Sequence, residues 1–457
     1  MPARAARTSS VAVCTTIPSA QIGIIDRGYG SEIATFREEG VQTLLSGNLM
    51  DVCPVGAITT RDYRFKSRPW DNPNVVDTVC TRCSKGCSTT AWIKAKPEWA
   101  KGSRLVRITP RFNPDVNGYW MCDIGRFDYH WVEGEDRVQR PLARSASGIQ
   151  EPTAWTEVTT RLRDRLGAAG QANPDGVRFL VSAHASHEEL FLVRRLTEEL
   201  VGPSGPDLIS VTWRVTRKDQ PERTTFRVPD EDAPNVAGAR LFGLVPDARS
   251  GGGQLGPAVP DVSALQAAVA RGDVSALYVL DPGPEGSLGD VAWILDARRR
   301  GILPLLIVQS VILTELARNA DFVLPGASSV EKEASYTNDT GRLQGTARVI
   351  PPPGDALDDW QILVSVGGAL GVSFGYTSAA QVRSDIARRH ATTPGLAAVT
   401  SLAFARPMAA THWLQASNPS ERWKWSVMFQ DLPPVKGTVD PSSLPMPPGS
   451  IPLREVK

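Results

Sequence analysis

A chain of 457 residues, 41% of them hydrophobic, can fill more than one core, and at roughly 100–200 residues per domain about two to four domains are expected. A formal net charge of +1 argues against a nucleic-acid footprint spread over the surface, so no nucleic-acid partner is expected. The longest apolar run, Ile302–Leu313, is broken by Pro304 and Gln309 and falls short of the roughly 20 residues of a bilayer span, so no direct membrane insertion is expected.

Met1–Val13 carries Arg4 and Arg7 but no apolar stretch of a secretory signal, which points to a reducing compartment without disulfides. All six cysteines fall early: Cys14, Cys53, Cys80, Cys83, Cys87 and Cys122. Small core residues would scatter along the chain, so cysteine here has one role in one region.

Cys80, Cys83 and Cys87 are spaced Cys-x2-Cys-x3-Cys in VCTRCSKGCS, and Cys122 follows in YWMCDIGRF. A cuboidal cluster needs four thiolates at four corners; three can come from one tight loop and the fourth from a distant segment. Gly86 suits such a loop, because glycine tolerates positive φ. Structural zinc is the main alternative, but it more often uses two separated Cys-x2-Cys knuckles. From Arg61 to Arg144 sixteen Lys or Arg stand against ten Asp or Glu, a surplus that suits an anionic centre or a plain solvated face.

Short β runs are expected at Thr89–Ile93 and Leu105–Ile108, within a small cluster domain. Strand and helix then alternate. Gly176–Ala183 has strand length. Ser186 and Glu189 form a capping box, opening a helix along Leu190, Val193, Leu196 and Leu200 that Gly202-Pro203 stops. Ala276–Asp281 is a second strand, Leu288–Arg300 a helix, Leu303–Val308 a third strand and Asp321–Leu324 a fourth. Continuous apolar strands alternating with helices imply an α/β fold with a doubly wound, mostly parallel sheet. Asp281-Pro282-Gly283 lies at a strand's carboxyl end, where such folds bind ligands, although a plain turn explains it better. His184 and His187 read as surface or capping residues. Ser250–Asp261 reads as a loop or linker. Periodicity fades after about Thr377. Trp413, Trp423 and Trp425 with Arg422 and Lys424 suggest a packing face, and the tail from Leu432 is Pro-rich and extended.

Cys53–Asp71 (CPVGAITTRDYRFKSRPWD), Ser46–Ala57, VCTRCSKGC and Asn117–Trp131 (NGYWMCDIGRFDYHW) closely resemble the large iron–sulfur subunit of respiratory NADH:quinone oxidoreductases (respiratory complex I). Ala320–Gly345 and Pro351–Leu363 resemble both that subunit and the wider molybdopterin oxidoreductase superfamily. The resemblance runs from about Gln21 to the C-terminus. It implies that Cys80, Cys83, Cys87 and Cys122 hold one 4Fe–4S cluster. It makes Cys53 an orphan ligand of an incomplete second cluster and Cys14 a non-ligand. The family's upstream cysteine run is replaced by Thr8-Ser9-Ser10, and every histidine (His130, His184, His187, His390, His412) follows Cys122, so the chain reads as an N-terminally shortened member. The implied organisation is a remnant of an upstream iron–sulfur domain (1–70), a small β-rich 4Fe–4S domain (71–145), a molybdopterin-oxidoreductase-like α/β domain (146–375) and a Pro-rich extension (376–457).

The expected function is an iron–sulfur electron-transfer and scaffold subunit without an active site of its own. Its expected partners are other subunits of the hydrophilic arm. Through them it would lie on the cytoplasmic, inner face of an energy-transducing membrane. The alternative is a molybdopterin-dependent oxidoreductase resembling formate dehydrogenase. No cysteine follows Cys122 to ligate molybdenum, so no molybdenum is expected. A zinc-stabilised interaction module is the third reading.

Overall fold

The computed structural model describes residues 22–35, 41, 43–52, 58–64, 66–68, 71–100, 102–220, 226–246, 260–406 and 408–409. Cys14, Cys53, most of the Ser250–Asp261 loop, Trp413, Arg422–Trp425 and the Pro-rich tail lie outside the described residues. The chain divides into Met1–Ala416 and Ser417–Lys457, and every described residue belongs to the first unit.

β1 (Ile22–Ile25) and β2 (Glu32–Thr35) form an antiparallel hairpin, followed by the short helix α1 (Asn48–Val52). β3 (Asn74–Val79), β4 (Ser88–Ile93) and β5 (Leu105–Pro110) build an antiparallel meander, with Val76, Ala91, Leu105 and Ile108 turned into one small core. Met121, Tyr129 and Val132 close that core around α2 (Asp123–Phe127), as do Val330, Ala347, Val349 and Ile350 from far along the chain. The small domain is therefore completed by residues of the large one.

The large sheet begins with β6 (Leu142–Arg144) and β7 (Gln150–Pro152), an antiparallel pair, before the helix α3 (Trp155–Leu162). β6 crosses the expected boundary at residue 145 because it pairs with β12, an edge of the large sheet. Next come β8 (Val177–Ser182), α4 (His187–Val201), β9 (Ile209–Thr212), α5 (Ser263–Arg271), β10 (Ala276–Asp281), α6 (Ala292–Arg299), β11 (Leu306–Ser310) and β12 (Phe322–Pro325). The strand order is β7-β6-β12-β11-β10-β8-β9, and β12 through β9 run parallel. A strand's alternating side chains sort one continuous apolar run into two cores. Tyr278 and Leu280 face one with α4, while Leu277 and Val279 face the other with α5 and α6. This is a doubly wound α/β sheet behind a small β-rich domain.

Two elements are displaced from expectation. α6 starts at Ala292, four residues late, because Gly286 and Gly289 take positive φ and turn the chain first. β11 starts at Leu306, three residues late, where it comes into register with Leu277. β13 (Ala334–Thr337) and β14 (Leu343–Thr346) form a separate hairpin, and α7 (Asp359–Ala369) returns to the main core. The chain then forms α8 (Ala379–Arg389), where the sequence shows no clear periodicity; Val382 and Ile386 bury its inner face. A two-residue strand, β15 (Met408–Ala409), adds to β3 at the edge of the small sheet.

The capping box of α4 is present: Glu189 N–H donates to Ser186 Oγ at 3.4 Å, and Ser186 N–H to Glu189 Oε2 at 2.9 Å. His184 and His187 are not surface residues. Both are buried, because α4 starts directly beneath the β13–β14 hairpin. Ser335 spends its hydroxyl proton on Glu188, so it accepts from His187 Nδ1–H at 3.1 Å, while Nε2 accepts from Thr337 at 2.9 Å.

Burial pulls His187 down to about 4. An imidazole that resists protonation when folded binds fewer protons than the unfolded chain between pH 4 and about 6.5, so stability falls as pH drops through that window. Asp281, pushed up to about 7 by burial, works in the opposite direction over pH 4–7, so a comparison at matched pH isolates the histidine. The parent is expected to lose about 3 kcal/mol relative to His187→Gln between pH 7 and pH 4. Denaturant titration at both pH values checks this; a constant difference between the two chains would refute it.

Candidate metal centre

The loop from Cys80 to Cys87 is closed by Cys80 N–H donating to the Cys87 carbonyl at 2.9 Å. Gly86 takes φ +63, and a Cβ there would overlap Gln344 Oε1, so only glycine fits the turn. Cys122 enters from the other side as N-cap of α2, its sulfur accepting from Gly125 N–H at 3.4 Å. A Cβ on Gly125 would sit 2.8 Å from the Cys80 sulfur and 3.8 Å from that of Cys122. One small residue thus separates a loop thiol from the helix thiol. Cys83, Cys87 and Cys122 are buried and Cys80 is half-buried.

The four thiols act on one another. Burial, then the Cys122 thiol, pushes Cys80 up to about 12. Burial, then the charges of Cys122 and Cys80, raises Cys83; burial, then Cys83, Cys80 and Cys122, raises Cys87. Burial also raises Cys122, against the pull of the Gly125 and Ile124 N–H groups. Four thiolates cannot coexist here unless a bound cation offsets them, and iron would supply that charge. Backbone N–H groups of Arg82 and Lys85 point at Cys80 and Cys83 in turn. Leu44, Leu45, Trp120, Ile124, Phe226 and Val228 pack around the cysteines and keep water out. Among the described residues no three His, Cys, Asp or Glu side chains meet closely enough to hold a single metal ion.

The large domain grips the same loop. Ser84 N–H donates to the Glu231 carbonyl at 3.2 Å and its hydroxyl to Glu231 Oε2 at 2.8 Å. Gln344 donates to the Gly86 carbonyl at 2.8 Å, Asn338 to that of Lys85 at 3.2 Å, and Thr81 to Ser329 at 2.8 Å. Positive charge comes from Arg82 and Lys85 on the loop and from Lys218 on the large domain. No local pattern points to Glu231, Gln344, Phe226, Val228 or Lys218, since all reach the loop across more than 100 residues of chain. The Asp281-Pro282-Gly283 segment is a turn: Asp281 accepts from Gly283 N–H at 3.2 Å and from the Ser287 hydroxyl.

Comparison with known proteins bears on this arrangement. Residues 11–59 match the ferredoxin-like domain of NADH-quinone oxidoreductase subunit 3, and residues 230–369 match the molybdopterin oxidoreductase family. The G subunit of the Streptomyces coelicolor NADH-quinone oxidoreductase is 37% identical over 30% of this chain and 15% of its own length. Subunit 3 of the Thermus thermophilus enzyme is 32% identical over 38% and 22% respectively. The G subunit of the Rickettsia felis enzyme is 22% identical, but over 84% of this chain and 69% of its own. The chain is a relative of the large iron–sulfur subunit of NADH-quinone oxidoreductases. The aligned stretches span less than a quarter of the first two relatives. The subunit 3 ferredoxin-like match supports an iron–sulfur protein. It includes Cys53, which lies outside the described residues, whereas Cys80 through Cys122 fall between the two family matches.

Proposed function

We propose that the chain is an electron-transfer and scaffold subunit of an NADH:quinone oxidoreductase, with one 4Fe–4S cluster on Cys80, Cys83, Cys87 and Cys122. The single observation that carries this is the meeting of four mutually repelling, largely buried thiols, three from one loop and one from a helix N-terminus, inside an apolar shell. A cube takes its thiolates at four separate iron corners, so they need not meet at one point as zinc ligands do. When bound, the cluster supplies a one-electron couple. The chain's own residues hold it through sulfur, steady the sulfurs with N–H groups, and exclude water with Leu44, Leu45, Phe226 and Val228. Electrons then enter and leave through neighbouring subunits of the hydrophilic arm.

Among the described residues no helix is long and apolar enough to cross a membrane. The placement on the inner face of the membrane is therefore proposed to come through partners. After gentle detergent extraction and native sizing, the chain is expected to migrate with flavin-binding and quinone-site subunits. Migration as a monomer of 49.4 kDa would refute assembly. The molybdopterin oxidoreductase match favours a second reading, a molybdenum enzyme. It predicts close to one molybdenum per chain; the first reading predicts none.

A further inference from the structure

We infer that Lys218 is a positioning residue for charge at the four-cysteine centre, setting from the large domain the field at Cys83 and Cys122 and with it the reduction potential of a cluster held there. The inference rests on the cluster reading above and adds a residue that neither the cysteine motif nor the family matches single out.

Lys218 lies six residues beyond β9, in a ribbon that returns to Asp232. Thr216 N–H donates to the Asp230 carbonyl at 2.8 Å, and Asp232 N–H to the Arg214 carbonyl at 2.9 Å. Gln220 bonds both the N–H of Val228, at 3.2 Å, and its carbonyl, at 2.6 Å. The ribbon is thus fixed on both sides, and it lies on the cysteines: Phe226 and Val228 pack against Cys83, Cys87 and Cys122. Glu231, two residues from Pro229, is the residue that ties down Ser84 in the cysteine loop.

The Lys218 ammonium is held inside this fold. Its side chain is 5% exposed, and Nζ donates to the Pro229 carbonyl and to Asp232 Oδ1 at 2.7 Å. Pro229 directly follows Val228, which brings the charge beside the sulfur pocket. Its field favours the ionised form of both Cys83 and Cys122, one thiol from the loop and the other from α2. Arg82 is already paired to Asp128 at the surface. A buried charge is screened far less than an exposed one, so among these cations Lys218 should act most constantly across salt conditions.

Reduction adds an electron to an anionic centre, and a nearby cation favours that state. Asp232 opposes it. Burial works to raise this carboxyl, but hydrogen bonds from Lys218, Thr216 and Arg214 overcome it and hold Asp232 below its ordinary value, as the carboxylate. The two residues therefore form a pair of opposite sign, and removing either one alone should move the potential in opposite directions.

The experiment is an electron-paramagnetic-resonance redox titration of the anaerobically purified full chain, after its iron and sulfide have been counted. Lys218→Gln is expected to lower the midpoint potential, weakening electron affinity about tenfold, or 59 mV for a one-electron step. Asp232→Asn is expected to raise it. Lys218→Arg should stay near the parent, as should Arg271→Gln, a change at a 63%-exposed side chain on α5. Loaded Lys218→Gln and Asp232→Asn chains that both keep the parent's potential, or both shift it the same way, would overturn the inference. A parent chain lacking iron and sulfide would instead defeat the cluster reading, and that result is visible before any potential is measured.

Discussion

Lys332→Met is expected to lower the unfolding free energy by about 3–5 kcal/mol at neutral pH, the usual cost of breaking a buried ion pair from one side. Lys332 Nζ donates to Glu189 Oε1 at 2.6 Å and to Asp359 Oδ2 at 2.5 Å, and none of the three side chains is more than 3% exposed. Burial alone would favour a neutral lysine. The charges of Asp359 and Glu189 overcome it and hold Lys332 well above the ordinary lysine value. Without the ammonium, two carboxylates face each other in the core. They would be expected to take up protons as pH falls, so the deficit should shrink in acid. The triple variant Lys332→Met, Glu189→Gln, Asp359→Asn should recover most of the loss, because no charge is then left unpaired. Denaturant unfolding of the three chains measures this. A single variant within 1 kcal/mol of the parent would show that the triad stabilises nothing.

The second large effect concerns the sulfur pocket. Gly125→Ala is expected to remove most of the bound iron, as fully as Cys83→Ser. The serine change deletes a ligand. The alanine change leaves all four cysteines in place but puts a methyl group 2.8 Å from the Cys80 sulfur and 3.2 Å from Met121 Cε. Neither neighbour has room to retreat, since Met121 is fully buried in the small core. Gly368→Ala, where a Cβ meets nothing within 4 Å, serves as the control and should keep the parent's iron. Colorimetric iron and sulfide assays on the purified chains decide it. Full loading of Gly125→Ala would mean that the Cys80 sulfur does not sit where the site requires it.

Much of this architecture is legible in the sequence. β8 and β10 are readable because a strand buried on both faces needs an unbroken apolar run, and Val177–Ser182 and Ala276–Asp281 supply one. The start of α4 is readable because a capping box is a local device. The cysteine loop is recognisable from its spacing, and Cys122 from its isolation. The misreadings share one cause, the use of polar groups in the interior. α8 escapes a sequence reading because Arg383 and Asp385 on its buried side look like surface residues. They are paired, Arg383 with Glu188 at 3.0 Å and Asp385 with Arg195 at 3.2 Å. His187 looks like a surface residue for the same reason, though two hydroxyls satisfy its ring. Likewise Glu189 reads only as a cap, yet it also anchors Lys332 across 143 residues of chain. Pairings of that range leave no local pattern, and the grip of the large domain on the cysteine loop is built almost wholly from them.

The central claim, one four-iron cluster on Cys80, Cys83, Cys87 and Cys122, is tested most directly by metal and acid-labile sulfide analysis of the anaerobically purified chain. About four iron and four sulfide per chain are expected, with neither zinc nor molybdenum in stoichiometric amount. Cys53 should add nothing, since Cys14 alone could join it and two thiolates cannot hold a second cube. One zinc per chain with no sulfide would contradict the account outright.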